Sequence, residues 1–387
     1  MRAALFLFSA CYLLAQVGNL LEQADAAFRN GDPVKAVSLA QRVIARDPNA
    51  VHAHLILGVI AAQKKDWNTS SRHFRTVIRL EPSNPFGYFY LGQANLYQQH
   101  WDAAIQNFLE ATKRQYPERE RLAVELALAQ NEAGYPDKAL ASLSEIPEPA
   151  DEGLGAQYHA VTAFAQGKLN QPTRAIEAIR RALRLDAGNP HNWEFLIGAL
   201  LKNDEAPQAL AEAIRAQQKF PDNGDIQFAF ALASYHVTES PLSHLALRNL
   251  READPTSPRV LLAEGLLYRK QGKTDEATEA FERAAKAGVQ DAHLLLGIVH
   301  KENGKYEEAE REYREAERIS PQNGQVLLEL GKLLLTRGRL GEAQSRLEKA
   351  AGLMPDASTV HYQLGLLYRR LGQTEKAQEH FQRARTQ

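Results

Sequence analysis

The sequence predicts an all-α protein, a solenoid of antiparallel helix pairs, and three observations predict it. The first is a series of small residues. Ala36, Ser70, Ala104, Ala139, Ala175, Ala209, Ser243, Ala277, Ala309, Ala343 and Ala377 follow one another at intervals of 34, 34, 35, 36, 34, 34, 34, 32, 34 and 34 residues. The second is a companion series twelve positions earlier, made of Ala24, Gly58, Gly92, Ala127, Ala163, Gly265, Gly297, Gly331 and Gly365, with Ile197 and Ala231 filling the place in the sixth and seventh units. Small residues at both places let two helices cross closely, because the crossing leaves no room for a long side chain. Ile197 marks the sixth unit as the expected looser fit. The third observation is the punctuation, in which glycine, proline and capping residues fall between the periodic segments.

The stretch from Gln290 to Asn323 displays one unit in full. Leu296, Gly297 and His300 lie in its first half, and Tyr306, Ala309, Tyr313 and Ala316 in its second. Spacings of three and four give each half one buried stripe, the pattern of an amphipathic helix. Gly304 can end the first helix in a left-handed conformation that costs glycine nothing. Pro321 and Asn323 mark the exit from the second helix and the cap of the next.

Taken in order, the chain begins with Met1-Arg2 and a mostly apolar run from Ala3 to Ala15. A positive charge followed by such a run suits a secretory signal over residues 1–16, and it is shorter than a membrane span of about 20 residues. Phe8-Ser9-Ala10-Cys11 also resembles a degenerate lipobox, with Cys11 as the lipidated mature terminus. An uncleaved apolar first helix is the third reading. Units one to four then occupy residues 17–146, and units five to eleven residues 156–387. Between them Pro147-Glu148-Pro149-Ala150-Asp151-Glu152-Gly153 reads as an exposed loop within residues 147–155. Asn84-Pro85, Asn189-Pro190 and Ser257-Pro258 each set a capping side chain before a proline at the first helical position. Pro48, Pro82, Pro221, Pro255, Pro321 and Pro355 stop the preceding helices.

Composition narrows the function. At 387 residues the chain exceeds one compact core, so several domains or one elongated array are the choices. Lys and Arg number 46 against 47 Asp and Glu, which gives no electrostatic case for nucleic acid or an anionic membrane surface. Cys11 is the only cysteine, so no disulfide framework or zinc–cysteine cluster is expected. The twelve histidines show no His-Glu-x-x-His spacing, and Gly272-Lys273-Thr274 lacks the first glycine of a phosphate loop, Leu267 standing there. No Gly-x-Ser-x-Gly elbow occurs. The expectation is a protein that is not an enzyme, with no catalytic residues, metal or cofactor.

These periodic residues resemble the tetratricopeptide repeat, whose 34-residue helix-turn-helix unit carries Trp, Leu-Gly, Tyr, Ala, Phe/Ala and Pro at fixed offsets. The match is fullest in Leu91-Gly92 with Ala104 and Phe108, in Gly265, Tyr268, Ala277, Phe281 and Ala284, and in Leu364-Gly365, Tyr368, Ala377, Phe381 and Ala384. Trp193 holds the family's tryptophan place. Eleven units fit from Val17 onward. The resemblance implies a right-handed superhelix whose first helices line a concave groove, an extended surface for a protein or peptide partner. Carried over by offset, the groove residues are Phe86, Phe89, Gln93, Leu96 and Tyr97 in the third unit. In the seventh they are Phe228, Leu232, Tyr235 and His236. The same offsets give a basic edge of Arg269, Lys270, Lys301, Lys332, Arg369 and Arg370. No unit has the lysine and asparagine pair of the carboxylate-clamping subfamily. The expected function is therefore a non-enzymatic scaffold holding an extended protein segment, exported to a bacterial periplasm or envelope. The alternative is an accessory of a secretion, pilus or exopolysaccharide machine. No nucleic acid is expected, and a membrane only through an N-terminal lipid anchor.

Overall fold

The computed structural model describes residues 2–237, 241–253, 257–355 and 357–385, and only the backbone of residues 2–15, 241 and 253. It contains 22 α-helices, and among the described residues no strand. The chain divides into two compact blocks, Met1–Asp186 and Ala187–Gln387.

The N-terminal block holds five helix pairs: α1 (Arg2–Arg29) with α2 (Pro33–Arg46), α3 (Val51–Gln63) with α4 (Trp67–Leu80), α5 (Pro85–Tyr97) with α6 (Trp101–Lys113), α7 (Arg119–Glu132) with α8 (Pro136–Ser144), and α9 (Glu152–Lys168) with α10 (Pro172–Leu185). Six pairs make the C-terminal block: α11 (Pro190–Lys202) with α12 (Ala206–Lys219), α13 (Gly224–Val237) with α14 (Pro241–Ala253), α15 (Pro258–Lys270) with α16 (Thr274–Lys286), α17 (Ala292–Glu302) with α18 (Tyr306–Ile319), α19 (Gly324–Thr336) with α20 (Leu340–Leu353), and α21 (Ser358–Arg370) with α22 (Thr374–Arg385). Within each block a helix packs chiefly on its own partner and then on the next pair, the nearest-neighbour arrangement of a solenoid.

Every member of the small-residue series from Ala36 to Ala377 is buried. Its companion series is explained by what stands sixteen positions later on the second helix. A Cβ built on Gly58, Gly92, Gly265, Gly297 or Gly365 would fall 2.4–2.7 Å from a ring atom of Phe74, Phe108, Phe281, Tyr313 or Phe381 respectively. Where the first helix carries alanine the later residue is smaller or aliphatic: Ala24 with Ala40, Ala127 with Leu143, Ala163 with Ile179. The sixth unit reverses the sizes. Ile197 is 1% exposed and Ala213 is fully buried, so the volume has moved to the other helix.

Capping follows the sequence. Asn84, Asn189 and Ser257 accept backbone N–H bonds ahead of Pro85, Pro190 and Pro258, and Asn323 does the same for Gln325 and Val326. Gly304 has φ +73°. The same turn place holds Lys65, Gln99, Asn170 and Asp204 with φ between 57° and 61°, where glycine would be less strained.

One expectation needs correction. The loop ends at Asp151, since Glu152–Gly155 already form the first turn of α9, capped by the Asp151 carboxylate on Leu154 N–H. Pro149 is buried and Glu148 pairs with His159, so the loop is held against the fold rather than exposed throughout. At the N-terminus α1 is one helix of 28 residues, and its residues from Val17 onward join the core with α2 and α3. Pro255 and the Cys11 side chain lie outside what is described. Among the described residues no helix is long and apolar enough to cross a membrane.

Candidate partner-binding groove

Within each block most first helices touch the first helix of the next pair, and on five of them a polar side chain four places before the companion-series residue ties the helix to the loop before it. His54, Tyr88, Trp193, Gln227 and His361 each direct a ring N–H, hydroxyl or amide donor to the carbonyl six residues back, on Pro48, Pro82, Ala187, Pro221 and Pro355, at 2.6–3.3 Å. The bond ties the helix to the loop it leaves, satisfying a carbonyl that the preceding helix end cannot use. Only Trp193 stands out in the sequence. The common property is a side-chain donor at one offset, at five positions and in four residue types that composition alone does not group.

His54 and His361 go further. Their Nδ1 atoms meet Nδ1 of His73 at 2.9 Å and of His380 at 3.0 Å on the paired second helices. His293 meets Glu312 at the same offset, 2.7 Å apart. Among the described residues no group of three or more His, Cys, Asp or Glu is placed to hold a metal.

In the third repeat the five groove residues do not share one environment. Phe89 is fully buried, its ring stacked 4.2 Å from Tyr116 and tilted against Phe108, and Leu96 is 5% exposed. Both are core residues, contrary to the groove assignment, because Tyr116 fills the link to α7 where other links carry Asp47-Pro48 or Glu81-Pro82. Phe86 sits at the surface, edge-on to Tyr116. Tyr97 is 60% exposed, and its ring lies flat on Trp67 at 4.6 Å. Gln93 lies between, with Nε2 donating to Glu125 Oε1 on α7 at 2.7 Å. Burial pushes the Glu125 carboxyl above its ordinary range, against the lowering effect of the Gln93 bond and of Arg121. Burial likewise raises the Tyr97 phenol.

A cavity of about 880 Å³ opens over these residues, bounded by α5, α7 and the start of α9 and reaching Leu154 and Gln157. Four carboxylates, Glu118, Glu120, Glu125 and Asp151, face two guanidiniums, Arg119 and Arg121. The space is large enough for several side chains of an extended segment.

The C-terminal block differs. Phe228, Leu232 and Tyr235 are partly buried against the core of α15–α17, with Arg259 lying 5.3 Å over the Phe228 ring. His236 stays at the surface, its imidazole held below the usual range by burial first and by Lys270 second. The six basic residues do not form a free edge. Arg269 makes a two-point pair with Glu302 at 2.6 and 3.0 Å, and Lys301 and Lys332 share the buried carboxylate of Glu329. Lys270 and Arg370 donate to Tyr235 O and Leu335 O in the last turns of α13 and α19. Lys168 does the same for Asn131 O of α7 in the N-terminal block. A cation at that offset thus closes the carbonyl end of the first helix one repeat earlier, where the helix dipole favours it. Among the described residues Arg369 alone of the six has no carboxylate or carbonyl partner; it lies 5.8 Å over the Phe381 ring.

Comparison with known proteins agrees with this architecture. Models of the tetratricopeptide repeat match residues 21–85, 89–153, 163–224, 262–324 and 328–387, and a second such model matches 301–351. Among curated proteins, the chain is 25% identical over 169 residues to peroxisome biogenesis protein 5 of Arabidopsis thaliana, covering 42% of this chain and 21% of that protein. It is 28% identical over 198 residues to anaphase-promoting complex subunit 3 of Schizosaccharomyces pombe, covering 50% and 29%. The match therefore spans less than a third of either relative. Among solved structures, yeast Tom70 aligns with a TM-score of 0.52 at 13% identity over 97% of this chain and 92% of that one. The APC/C hetero-tetramer Cut9-Hcn1 gives 0.52 and 13% over 95% and 86%. At that identity the likeness concerns the fold alone. With its repeat series, its helix pairs and family models matched over most of its length, the chain belongs to the tetratricopeptide repeat family.

Proposed function

We propose that the protein is a non-enzymatic scaffold that holds an extended segment of a protein partner against the first-helix face of its N-terminal block. The observation that supports this most is the cavity over Gln93, Tyr97 and Glu125, where a broad aromatic ring stays exposed beside a polar floor. Exposed aromatics next to a recess are frequent anchors of protein interfaces. On the C-terminal block the same face has its charges matched within the chain, which leaves less for a partner to gain there. One relative is by name a subunit of a complex, in keeping with a binding role.

A photo-crosslinking residue at Tyr97, compared with one at Lys113 on α6, tests the reading in the native host. A protein adduct formed from position 97 and absent from 113 is expected. Equal labelling from both positions would sink it.

The proposal extends to export. α1 runs 28 residues where α3 and α5 run 13, so a chain beginning near Gln16 keeps a first helix of ordinary length. That supports a removed leader, and with it a role in the cell envelope as a scaffold or as an accessory of a secretion, pilus or exopolysaccharide machine. Intact-mass analysis of protein from its host should give a start near Gln16 or a lipidated Cys11. A soluble cytoplasmic protein retaining Met1 would overturn export.

A further inference from the structure

We propose that the N-terminal groove selects a partner segment carrying a lysine or arginine, whose cation meets the carboxylate of Glu125 on the cavity floor. The inference rests on that groove being the partner site.

Its basis is a contrast in how carboxylates are matched. On the first-helix face of the C-terminal block, Asp225 pairs with Arg259, Glu302 with Arg269, and Glu329 with Lys301 and Lys332. Glu125 has the neutral amide of Gln93 as its hydrogen-bond partner, and among the described residues no cation lies within ion-pair distance. Arg121, a guanidinium whose charge acts on it, pairs with Glu118 at 3.3 Å and lies over the Phe89 ring. Of the other carboxylates around the cavity, Asp151 is engaged in capping α9.

A partly desolvated carboxylate without a cation is costly, and an incoming ammonium or guanidinium that reaches it recovers that cost. The surroundings suit such a side chain along its whole length. Tyr97, lying flat on Trp67, offers an aromatic face beside the cavity for an aliphatic stem or a guanidinium plane. Carboxylates outnumber guanidiniums around the cavity two to one, so the field favours a basic over an acidic segment.

The experiment pans a random dodecapeptide display library on the full chain. An enriched peptide is then synthesised with arginine at its basic position or with citrulline there, which keeps the shape of arginine and loses the charge. The expected result is enrichment of Lys or Arg at one position. Citrulline should weaken binding to the wild-type chain by about tenfold or more, the scale of a charge-assisted hydrogen bond, and hardly affect binding to Glu125→Gln. Glu125→Asp, which keeps the charge, should restore part of the discrimination, and circular dichroism checks that each variant is folded.

If no peptide is enriched, or if Tyr97→Ala leaves the enriched peptides bound as before, the groove reading itself fails and this inference with it. If peptides bind through Tyr97 but show no basic position, favour acidic residues, or discriminate against citrulline equally on Glu125→Gln, the groove stands and the Glu125 pairing is overturned.

Discussion

Replacing Gly92 with alanine adds one methyl group where the second helix of the same pair already has a ring. The new Cβ would lie 2.6 Å from Phe108 Cε1 and 2.7 Å from Cδ1, about 1 Å inside ordinary carbon contact. Phe108 has little freedom to yield, being fully buried with the Phe89 ring 5.9 Å away and the Ala111 and Ala104 positions closed on either side. Overpacking of this kind costs about 1–3 kcal/mol. Alanine in place of glycine inside a helix contributes about 1 kcal/mol in the opposite direction. The net expectation is a loss of roughly 0–2 kcal/mol. Gly198 on α11 is the control, because a Cβ there meets nothing within 4 Å, and Gly198→Ala should stabilise by about 1 kcal/mol. Combining Gly92→Ala with Phe108→Leu recreates the Ala127 and Leu143 combination of the fourth repeat. The double variant should lie at least about 1 kcal/mol above the sum of the singles. Denaturant midpoints of the full chain give the energies, and hydrogen exchange on α5 and α6 localises them, since a repeat array need not unfold in one step. If Gly92→Ala stabilises as much as Gly198→Ala, the size matching between the two helices is not what places glycine in this series.

Three other perturbations separate the remaining roles. Phe89→Ala should cost about 3–5 kcal/mol of stability because the ring is wholly in the core, while Tyr97→Ala leaves the melting temperature nearly unchanged and weakens partner capture; the reverse pattern would exchange their assignments. Ser70 occupies an alanine place with its Oγ buried and unbonded, so Ser70→Ala should raise stability by about 1 kcal/mol, read as a higher denaturant midpoint; a loss would mean the hydroxyl is satisfied in solution. His73 is held down to about 4 by burial first, then by His54 and Arg72. The unfolded chain therefore takes up the proton first. Stability is intact above about pH 6.5 and falls as pH drops from there through about 4, by roughly 1–2 kcal/mol once the partial exposure of the ring is discounted. A His73→Leu chain whose midpoint declines just as steeply over that range would show that the acid sensitivity arises elsewhere.

The repeat itself was legible because it is carried by local chemistry. A helix buries whatever recurs at three and four residues, and a crossing demands small residues at fixed offsets whatever stands in the next repeat. The series from Ala36 to Ala377 and the caps at Asn84, Asn189, Ser257 and Asn323 follow from that alone. The tie from His54, Tyr88, Gln227 and His361 to the preceding loop was present at one offset too, but as three residue types with a shared donor rather than a shared identity.

The groove was legible only in part, because which first-helix side chains remain free depends on residues of the neighbouring repeat. Offsets placed Gln93 and Tyr97 beside the cavity, but they placed Phe89 there too, and Tyr116 in the link to α7 draws that ring into the core. Offsets also gathered six cations, whereas among the described residues all but Arg369 meet a carboxylate or a carbonyl, in the adjacent repeat for four of them and three residues away for Lys332. The sequence by itself determined the helices, their pairing and their period, since those depend on residues within one repeat. Only the tertiary structure decided which polar and aromatic groups a partner can reach, because burial and charge matching are set across repeats by side chains more than 30 residues apart.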